Sequence, residues 1–517
     1  MMTLPEFRNE ALTEFSTAPG RKAMDAALLA VGAQLGREFP LLIGGMPVRT
    51  GETFRSFNPS AADQVVAVVH QAGPRDVAAA VEAALRAYES WRWVPAEERA
   101  ALMMRAANIL RRRRMEASAW MVYEVGKNWA EADGDVAEAI DFAEYYAREI
   151  LRYGPGRPLP PAAGEMSEYQ YIPIGVVAVI SPWNFPVAIP AGMAFGAIVS
   201  GNTVIMKPAS DSAATAYLIA EALSEAGLPP GVMNLIAGPG SAVGEALVTH
   251  PKVRMIAFTG SREVGTSMFA LAARTPPDQI WLKRIIAEMG GKNAIIVDDD
   301  ATLDDAVTGV VASGYGYQGQ KCSAGSRVVV TPKVYHDVVE MIADRVRRLE
   351  VGPAPENYPA GPVINARAEQ KVLEYIEVGK REGRLVAGGR RAREGGHYVA
   401  PTVFIDVSPT ARIAQEEIFG PVVAAIPARD FDDAIRIANG TAFGLTGSVY
   451  SLNPEKLAKA RREFMCGNLY LNRKSTGALV GSHPFGGFNM SGTDSKAGGP
   501  DYLLNFLQPK VVAHKYR

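Results

Sequence analysis

Cysteine is the scarcest of the chemically informative residues, since Cys322 and Cys466 are the two copies in 517 residues. Two cysteines exclude a disulfide framework and are typical of a reducing compartment, so we expect a cytoplasmic protein. We interpret Cys466 as a small buried apolar residue. The six histidines and two cysteines lack metal-ligand spacing, and no metal site is predicted.

An excess of one charge sign and an export signal are also lacking. The formal net charge is −1, which gives no electrostatic reason to expect nucleic acid or a membrane surface as a partner. The N-terminal residues lack the apolar stretch of a secretory signal. Residues 169–206 are uncharged, but their four prolines would break a spanning helix. We therefore predict a buried strand (174–180), a turn and a buried helix (187–200) there.

Helix and strand patterns follow one another in an ordered way along the chain. Apolar spacing predicts a helix over 23–39 and long amphipathic helices over 75–152. Strand and helix patterns then alternate over 175–287 and again from residue 293, which predicts two α/β units with parallel sheets covered by helices on both faces. We interpret the four arginines at 111–114 as a solvated helix face, because acidic residues surround them.

Three residues are candidates for covalent chemistry. Cys322 lies in the glycine-containing polar segment 319–323, where a thiolate would be an accessible nucleophile. Glu288 ends an apolar strand pattern and is a candidate general base. Asn184 has an amide that can donate to an oxyanion. A structural cysteine and an asparagine that completes a turn are the alternatives. The combination suggests covalent catalysis followed by hydrolysis.

A nucleotide site is predicted at the carboxyl ends of the first set of parallel strands. Lys207 follows one strand pattern, and residues 258–261 follow another and open a helix. A helix start of this kind can hold a phosphate, although Ser261 can equally serve as an N-cap. The glycines at 238, 240 and 244 are spaced one residue too widely for the G-x-G-x-x-G fingerprint.

Seven short segments together resemble the aldehyde dehydrogenase superfamily. They occur in the family's order and spacing, and the resemblance extends from about residue 40 to the C-terminus. The segments are 182–186 (PWNFP), 201–208 (GNTVIMKP), 258–261 (FTGS), 288–292 (EMGGK), 319–323 (GQKCS), 415–421 (QEEIFGP) and 484–487 (PFGG). The resemblance implies an α/β fold with a Rossmann-type cofactor domain, an α/β catalytic domain and a small β oligomerisation arm.

The same resemblance implies a domain division and an assembly. The expected parts are a helical N-terminal extension (1–40), an NAD-binding domain (41–152 and 172–287), a catalytic domain (288–479) and an oligomerisation arm with the C-terminal tail (153–171 and 480–517). Since family members usually assemble by exchanging such an arm, we expect a homo-oligomer that is at least a dimer.

The family's chemistry can be transferred to the matching residues. It implies that Cys322 attacks an aldehyde carbon, that Asn184 and the Cys322 N–H hold the oxyanion, and that Glu288 activates the water that hydrolyses the thioester. NAD is the implied cofactor. Many members carry a glutamate where Ser210 stands, so NADP is expected to be tolerated while NAD is preferred. The implied cofactor-binding residues are Ile180, Ser181, Pro182, Trp183, Lys207, Ala209, Ser210, Gly240, Gly244, Phe258, Thr259, Gly260, Ser261, Met289, Gly290, Glu417 and Phe419.

Three further segments, 123–127, 472–478 and 491–500, resemble the 1-pyrroline-5-carboxylate dehydrogenase branch of that superfamily. This resemblance implies oxidation of L-glutamate γ-semialdehyde to L-glutamate, the second step of proline catabolism. The implied substrate-binding residues are Glu138, Phe185, Lys321, Ser323, Gly477, Ala478 and Phe485. The resemblance also implies that Glu138 accepts the substrate ammonium and that Lys321 favours the Cys322 thiolate. The alternatives are another semialdehyde dehydrogenase, an acyl transfer to coenzyme A, and a binding protein that has lost the chemistry.

Overall fold

The structure, a computed structural model, describes residues 4–516. Residues 1–3 of the predicted N-terminal extension and residue 517 of the predicted tail lie outside the described residues. Among the helices within residues 4–516, none combines the length and the apolar character that a bilayer crossing requires.

Helices and strands alternate through most of the described chain. The strands are β1 (Arg37–Phe39), β2 (Leu41–Ile43), β3 (Met46–Val48), β4 (Thr53–Asn58), β5 (Ala61–His70), β6 (Glu165–Pro173), β7 (Val176–Ile180), β8 (Thr203–Lys207), β9 (Met233–Leu235), β10 (Val253–Thr259), β11 (Arg284–Glu288), β12 (Ala294–Val297), β13 (Arg327–Val330), β14 (Arg384–Ala387), β15 (Arg391–Arg393), β16 (Tyr398–Val399), β17 (Thr402–Ile405), β18 (Val422–Pro427), β19 (Phe443–Gly444), β20 (Thr446–Tyr450), β21 (Asn468–Leu471), β22 (Phe488–Asn489) and β23 (Leu507–Lys515). The α-helices are α1 (Ala18–Gly32), α2 (Pro74–Trp91), α3 (Ala96–Arg112), α4 (Arg114–Val125), α5 (Trp129–Tyr153), α6 (Ala188–Val199), α7 (Ala213–Glu225), α8 (Glu245–Thr249), α9 (Arg262–Ala272), α10 (Leu303–Tyr315), α11 (Tyr335–Arg347), α12 (Ala366–Glu382), α13 (Arg412–Gln415), α14 (Phe431–Asn439) and α15 (Pro454–Glu463).

The first large sheet has seven strands in the order β11-β10-β7-β8-β9-β2-β3. Strands β7 to β11 are parallel, whereas β2 and β3 run antiparallel at one edge. All five residues of β7 are buried, as are the five of β8. A strand that is buried on both faces needs helices on both sides of the sheet. Each fully buried valine or isoleucine side chain contributes about 1.5–3 kcal/mol of transfer free energy to folding.

The second large sheet also has seven strands, in the order β14-β17-β18-β13-β12-β20-β21. Its strands are parallel except for β14, which pairs antiparallel with β17 at the edge. The prediction of two α/β units with parallel central sheets is therefore confirmed. The chain passes from the first sheet to the second just after residue 288, since β11 of the first sheet ends there and β12 of the second begins shortly afterwards.

A separate two-stranded arm joins the middle of the chain to its C-terminus. Strand β6 pairs antiparallel with β23 along nine residues, from Pro173 opposite Leu507 to Glu165 opposite Lys515. The outer parts of both strands are largely exposed, including Val511 at 59%. Within residues 4–516 no third strand pairs with β6 or β23, so the arm presents open strand edges.

The N-terminal region differs from the sequence prediction in two ways. The helix predicted over 23–39 covers Ala18–Gly32, and residues 37–39 form strand β1 instead, so the predicted C-terminal end was wrong. Strands β1 to β5 were not predicted at all. The helix ends at Gly32, and the chain then extends so that Phe39 can pack its buried ring against Trp120 and Tyr217.

Candidate active site

The residues proposed to bind a cofactor lie mainly along the carboxyl ends of the parallel strands of the first sheet. Strands β7, β8 and β9 progress in one direction from the centre, whereas β10 and β11 lie on the other side of β7. The gap between β7 and β10 is therefore a topological switch point, the position at which open α/β sheets bind ligands beyond their strand ends.

Every predicted cofactor residue of the first sheet lies at or just beyond a carboxyl end of one of its strands. Ile180, Ser181, Pro182 and Trp183 end or follow β7; Lys207, Ala209 and Ser210 end or follow β8; Gly240 and Gly244 bound a π-helical turn after β9; Phe258, Thr259, Gly260 and Ser261 end or follow β10; Met289 and Gly290 follow β11. Glu417 and Phe419 come from the segment before β18 of the second sheet.

Two buried polar groups at this edge have unused hydrogen-bonding capacity. The Lys207 ammonium donates to the carbonyl of Pro208 at 3.0 Å, and burial lowers its pKa to about 8. The hydroxyl of Ser181 is buried and has no hydrogen-bond partner within residues 4–516. A lysine that has one carbonyl for its three donors, beside a free hydroxyl, fits a ligand rich in hydroxyl groups such as a ribose. Lys207 is 5% exposed, so its side chain is buried at this edge of the sheet and does not lie on the surface.

The start of α9 offers backbone donors on the far side of the switch point. Ser261 is the N-cap, and its hydroxyl accepts from the N–H of Val264 at 3.3 Å. Gly265 lies one turn further on, where an added Cβ would stand 2.4 Å from the sulfur of Met289. The helix start therefore lies close to the residues that follow β11, and its free N–H groups favour an anionic ligand.

Glu417 crosses from the second sheet to the loop that follows β11. Its Oε1 accepts from the N–H of Gly291 at 2.9 Å, and a Cβ added to Gly290 would stand 2.1 Å from its Oε2. Burial raises the pKa of this carboxyl. A side chain at position 290 would therefore displace the Glu417 carboxylate from its present position.

The loop that carries Cys322 has an unusual backbone. Tyr317, Gln318 and Gly319 all have positive φ angles, of 48°, 54° and 67°. At Gly319 an added Cβ would stand 2.4 Å from the carbonyl oxygen of Gly420, so glycine is required there. Two non-glycine residues in the left-handed region store strain of the kind found at functional sites. Asn293 fixes the end of the loop by donating to the Cys322 carbonyl at 2.7 Å.

The predicted nucleophile, base and oxyanion donor converge in this structure. Cys322 is partly buried, and its thiol pKa is raised to about 12 by burial first and then by the charges of Glu417, Glu288 and Glu138. The Asn184 amide, 3% exposed, donates to the carbonyl of Gln320 at 3.0 Å, two residues before the cysteine. One N–H of that amide remains for a ligand.

Lys321 has a different partner from the one expected. Its ammonium lies 2.7 Å from the carboxylate of Glu131 in the first turn of α5. The charges that act on the thiol are carboxylates, and they raise its pKa where Lys321 was expected to lower it. In the resting structure the Cys322 thiol is therefore protonated at neutral pH.

Glu288 is held by residues on both sides of β22 in the C-terminal part of the chain. The hydroxyl of Ser495 donates to its Oε1 at 2.8 Å, and the N–H of Gly487 donates to its Oε2 at 3.2 Å. Burial nevertheless raises the pKa of this carboxyl to about 7. A carboxylate with that pKa is half ionised near neutral pH, which suits a general base.

One face of α5 points three carboxylates at the site, namely Glu131, Asp135 and Glu138 at helical spacing. Glu131 pairs with Lys321, and Asp135 pairs with Lys127 at 2.6 Å. For Glu138 neither a hydrogen bond nor an ion pair is found within residues 4–516, and burial, the first cause, raises its pKa to about 8. This carboxyl is the member of the face that is free to meet a ligand cation.

The remaining predicted substrate residues come from three loops. Phe185 follows Asn184, and its ring centroid lies 3.8 Å from the Lys127 ammonium and 6.0 Å from that of Lys321. The Ser323 carbonyl accepts from Thr446 at 3.2 Å, which ties it to β20.

The other three belong to the segment between β21 and the end of the chain. Gly477 is exposed with a φ of 74°, and Ala478 after it is half-buried. Phe485 exchanges backbone hydrogen bonds with Ala497 at 2.9 and 2.8 Å.

Sequence reasoning missed Lys127, Asp135, Glu131 and Ser495 as parts of the site. Lys127 and Ser495 lie in segments that carried the closer family resemblance, so that resemblance was the one signal for them. Nothing in the sequence indicated that Asp135 and Glu131 would each receive a lysine, because the Lys321 partner is 190 residues away.

Comparison with known proteins agrees with this geometry. Residues 47–512 match the aldehyde dehydrogenase family model. A 1-pyrroline-5-carboxylate dehydrogenase of Geobacillus thermodenitrificans is 52% identical over 511 residues, covering 99% of both chains. A crystal structure of 1-pyrroline-5-carboxylate dehydrogenase from Thermus with bound NAD is 53% identical, covers 100% of both chains and superposes with a TM-score of 0.99.

A more distant structure, a single-site variant of an aldehyde dehydrogenase from Bacillus cereus, is 33% identical. It has a TM-score of 0.89, with 94% of this chain and 99% of that chain covered. Together with the full-length relatives, it shows that the fold and the arrangement of its two sheets are shared across the family. The chain belongs to the aldehyde dehydrogenase family.

Proposed function

We propose that the chain oxidises L-glutamate γ-semialdehyde, the open form of 1-pyrroline-5-carboxylate, to L-glutamate with NAD, the second step of proline catabolism. It is an NAD-dependent aldehyde dehydrogenase, and relatives at 52–53% identity over the full length bear the 1-pyrroline-5-carboxylate dehydrogenase name. The observation that carries the proposal is the buried Glu138 carboxyl, which has no partner within residues 4–516 and lies on the helix whose Glu131 pairs with Lys321, the neighbour of Cys322.

Covalent attack is the first part of the reaction. Cys322 gives up its proton to solvent water, and its sulfur adds to the aldehyde carbon to form a thiohemiacetal. The free N–H of the Asn184 amide and the Cys322 backbone N–H stabilise the resulting oxyanion. NAD, when bound, accepts the hydride from the substrate carbon, and a thioester to Cys322 remains.

Hydrolysis of the thioester is the second part. Glu288, with a pKa of about 7, removes a proton from water as the oxygen attacks the acyl carbon. The carbon–sulfur bond then breaks, L-glutamate leaves, and the proton returns to the sulfur. The hydrogen bonds from Ser495 and Gly487 keep the carboxylate oriented.

Cofactor binding is assigned to the carboxyl edge of the first sheet. Lys207 is proposed to bind the adenosine ribose, Gly260 and Ser261 the pyrophosphate, and Glu417 the nicotinamide ribose. The unused donors of Lys207 and the free N–H groups at the start of α9 support these roles. Ser210, an exposed neutral residue, leaves room for a 2′-phosphate, so NADP is accepted less well than NAD but not rejected.

Substrate recognition is assigned to both ends of an amino-acid head group. Glu138 accepts the ammonium, since its carboxyl has no other partner within residues 4–516. The N–H groups of Gly477 and Ala478, with Ser323, donate to the carboxylate. Phe185 and Phe485 flank the aliphatic chain.

Assembly and location complete the proposal. The exposed β6–β23 arm supports a homo-oligomer, at least a dimer, in which the arm contacts a second copy. The predicted domain boundaries are retained, with the arm at 153–171 and 480–517. Both cysteines are free, which supports the reducing cytoplasm as the location.

The test compares kcat/KM for L-glutamate γ-semialdehyde and for succinic semialdehyde, which lacks the α-carbon together with its ammonium group. We expect at least a tenfold preference for the former, because one charge-assisted hydrogen bond contributes about 1.5–3 kcal/mol. Equal kcat/KM values for the two aldehydes would contradict the proposal and would indicate a semialdehyde dehydrogenase of broader specificity. Because NADH formation is followed with coenzyme A omitted, an acyl transferase would show no turnover.

A further inference from the structure

A buried ion pair lies directly behind the two loops that carry the reacting groups. Lys127 and Asp135 are 2.6 Å apart, and both side chains have no exposed surface. Lys127 follows the left-handed glycine that ends α4, and Asp135 lies in the second turn of α5. Burying two charges costs several kcal/mol each before their attraction is counted. We therefore expect other groups to contact and stabilise the two charges.

The ammonium of Lys127 lies between two aromatic rings. Its nitrogen is 3.8 Å from the ring centroid of Phe185 and 5.0 Å from that of Tyr317. Phe185 is the neighbour of Asn184, and Tyr317 belongs to the strained loop that leads to Cys322. One cation therefore contacts both loops, and such contacts strengthen when they are desolvated.

The carboxylate of Asp135 holds the other end of the first loop. Its Oδ1 accepts from the N–H of Ala188 at 2.6 Å, at the first residue of α6. Helix α6 begins four residues after Asn184, and its first N–H groups have no acceptor of their own in the helix. The pair thus fixes the segment of Asn184 from both sides.

A direct bond joins the two loops at the point where chemistry occurs. The Asn184 amide donates to the carbonyl of Gln320 at 3.0 Å, and the hydroxyl of Tyr317 donates to the carbonyl of Val125 at 2.7 Å, two residues before Lys127. The position of the oxyanion donor relative to the thiol therefore depends on how Phe185 and Tyr317 pack against the Lys127 ammonium.

We propose that Lys127 and Asp135 are positioning residues that set the distance between the Asn184 amide and the Cys322 sulfur, through Phe185, Tyr317 and the start of α6. The inference rests on the proposed aldehyde chemistry but not on the identity of the aldehyde. A loosened oxyanion donor lowers kcat, because a displacement of about 1 Å at a reacting centre costs roughly a hundredfold. The readout is kcat, because the pair also contacts Phe185 and acts on the Glu138 carboxyl, both of which are assigned to substrate binding.

The experiment is a double-mutant cycle on kcat with Lys127→Met, Asn184→Ala and the double variant. We expect Lys127→Met to lower kcat about tenfold to a hundredfold, and to lower it less than twofold when Asn184 is already alanine. Asp135→Asn, which keeps the size of the side chain, should reproduce the loss and is used if Lys127→Met does not fold. Fully multiplicative effects of the two substitutions would overturn the proposal.

Arg114→Met is the matched control. Arg114 and Asp133 also join α4 to α5 by a buried ion pair, at 2.6 Å, but they contact the N-terminal segment at Thr13 and not the site loops. Its loss should lower the melting temperature and leave kcat unchanged. If Arg114→Met and Lys127→Met lower kcat equally, the Lys127 effect is general destabilisation and the proposal fails. The cycle is measured with the best aldehyde found for the unmodified enzyme, so failure of the proposed substrate does not affect it.

Discussion

The hydroxyl of Ser495 donates a 2.8 Å hydrogen bond to Oε1 of Glu288, across 207 residues of sequence. Burial raises the pKa of the Glu288 carboxyl to about 7, and the Ser495 hydrogen bond is the largest influence that opposes it. A donated hydrogen bond stabilises the carboxylate form and so lowers its pKa. Ser495 therefore sets the pH at which the proposed base becomes active.

The first prediction concerns the pH profile of kcat. Glu288 must be ionised to remove a proton from water, so kcat should rise with pH through about 7 when hydrolysis limits turnover. Ser495→Ala removes a stabilising bond from the carboxylate and should move this rise to higher pH by about one to two units, since a hydrogen bond to a charged group is worth about 1.5–3 kcal/mol. Steady-state rates over a pH series that brackets neutrality on both sides give the midpoint.

Thr493→Val is the control for that shift. Thr493 bonds the backbone of Ala287 and does not touch the Glu288 carboxylate. Its profile should keep the original midpoint. If the Ser495→Ala variant keeps the midpoint of the unmodified enzyme, a group other than Glu288 controls the rise of kcat with pH.

The second prediction separates the two parts of the reaction. Glu288→Gln removes the base that activates water, and general-base catalysis typically contributes about 10²–10⁴-fold. Rapid mixing with NAD and aldehyde should give a burst of about one NADH per active site, followed by turnover slower by about that factor. Cys322→Ala should give neither burst nor turnover. Loss of the burst in Glu288→Gln would assign the glutamate to activation of the thiol.

The sequence was sufficient for the parts of the site that depend on strand ends. Apolar runs such as those of β7 and β8 predict buried parallel strands, and their carboxyl ends bring Ser181 and Lys207 to one edge in any open sheet. Strand patterns are local, so a single stretch of chain contains the whole signal. The roles of the individual cofactor and substrate residues remain predictions.

The Glu131–Lys321 pair could not be predicted, because the two partners are remote in sequence. Glu131 and Lys321 are 190 residues apart, and whether a lysine faces a thiol or a carboxylate is decided by tertiary packing. The arginine run shows the same limit. Its interpretation as a solvated face is wrong for Arg114, which is 8% exposed and paired with Asp133. A charged side chain is buried where an opposite charge is available to pair with it. The helical pattern of a sequence does not show where that partner lies.

The third prediction tests how the substrate ammonium is recognised. Glu138→Gln keeps the size of the side chain but cannot ionise, so the carboxylate that a bound ammonium would stabilise is lost. KM for L-glutamate γ-semialdehyde should therefore rise about tenfold or more. KM for propanal, which has no ammonium, should not change. The matched control is Glu144→Gln on the same helix, where the carboxylate pairs with Arg111 and Arg148. An equal rise in KM for both aldehydes would show that Glu138 shapes the site without binding the ammonium.

The fourth prediction concerns the choice between NAD and NADP. Ser210 opens the turn that follows Lys207 and is exposed, so Ser210→Glu places a carboxylate beside the proposed adenosine ribose. Two like charges about 4 Å apart at a protein surface repel by about 1–4 kcal/mol. By that repulsion kcat/KM with NADP should fall at least about fivefold, while kcat/KM with NAD is maintained or improves.

The control for this change lies at the far end of the following helix. Ser224→Glu adds the same charge to an exposed residue near the C-terminal end of α7, about 20 Å along the helix from Ser210. At about 0.15 M salt the Debye length is about 8 Å, so this charge should not alter the NADP/NAD ratio. If both variants lower activity with NADP equally, net charge is responsible and Ser210 does not face the 2′-position. If neither does, the ribose lies elsewhere along the edge between β7 and β8.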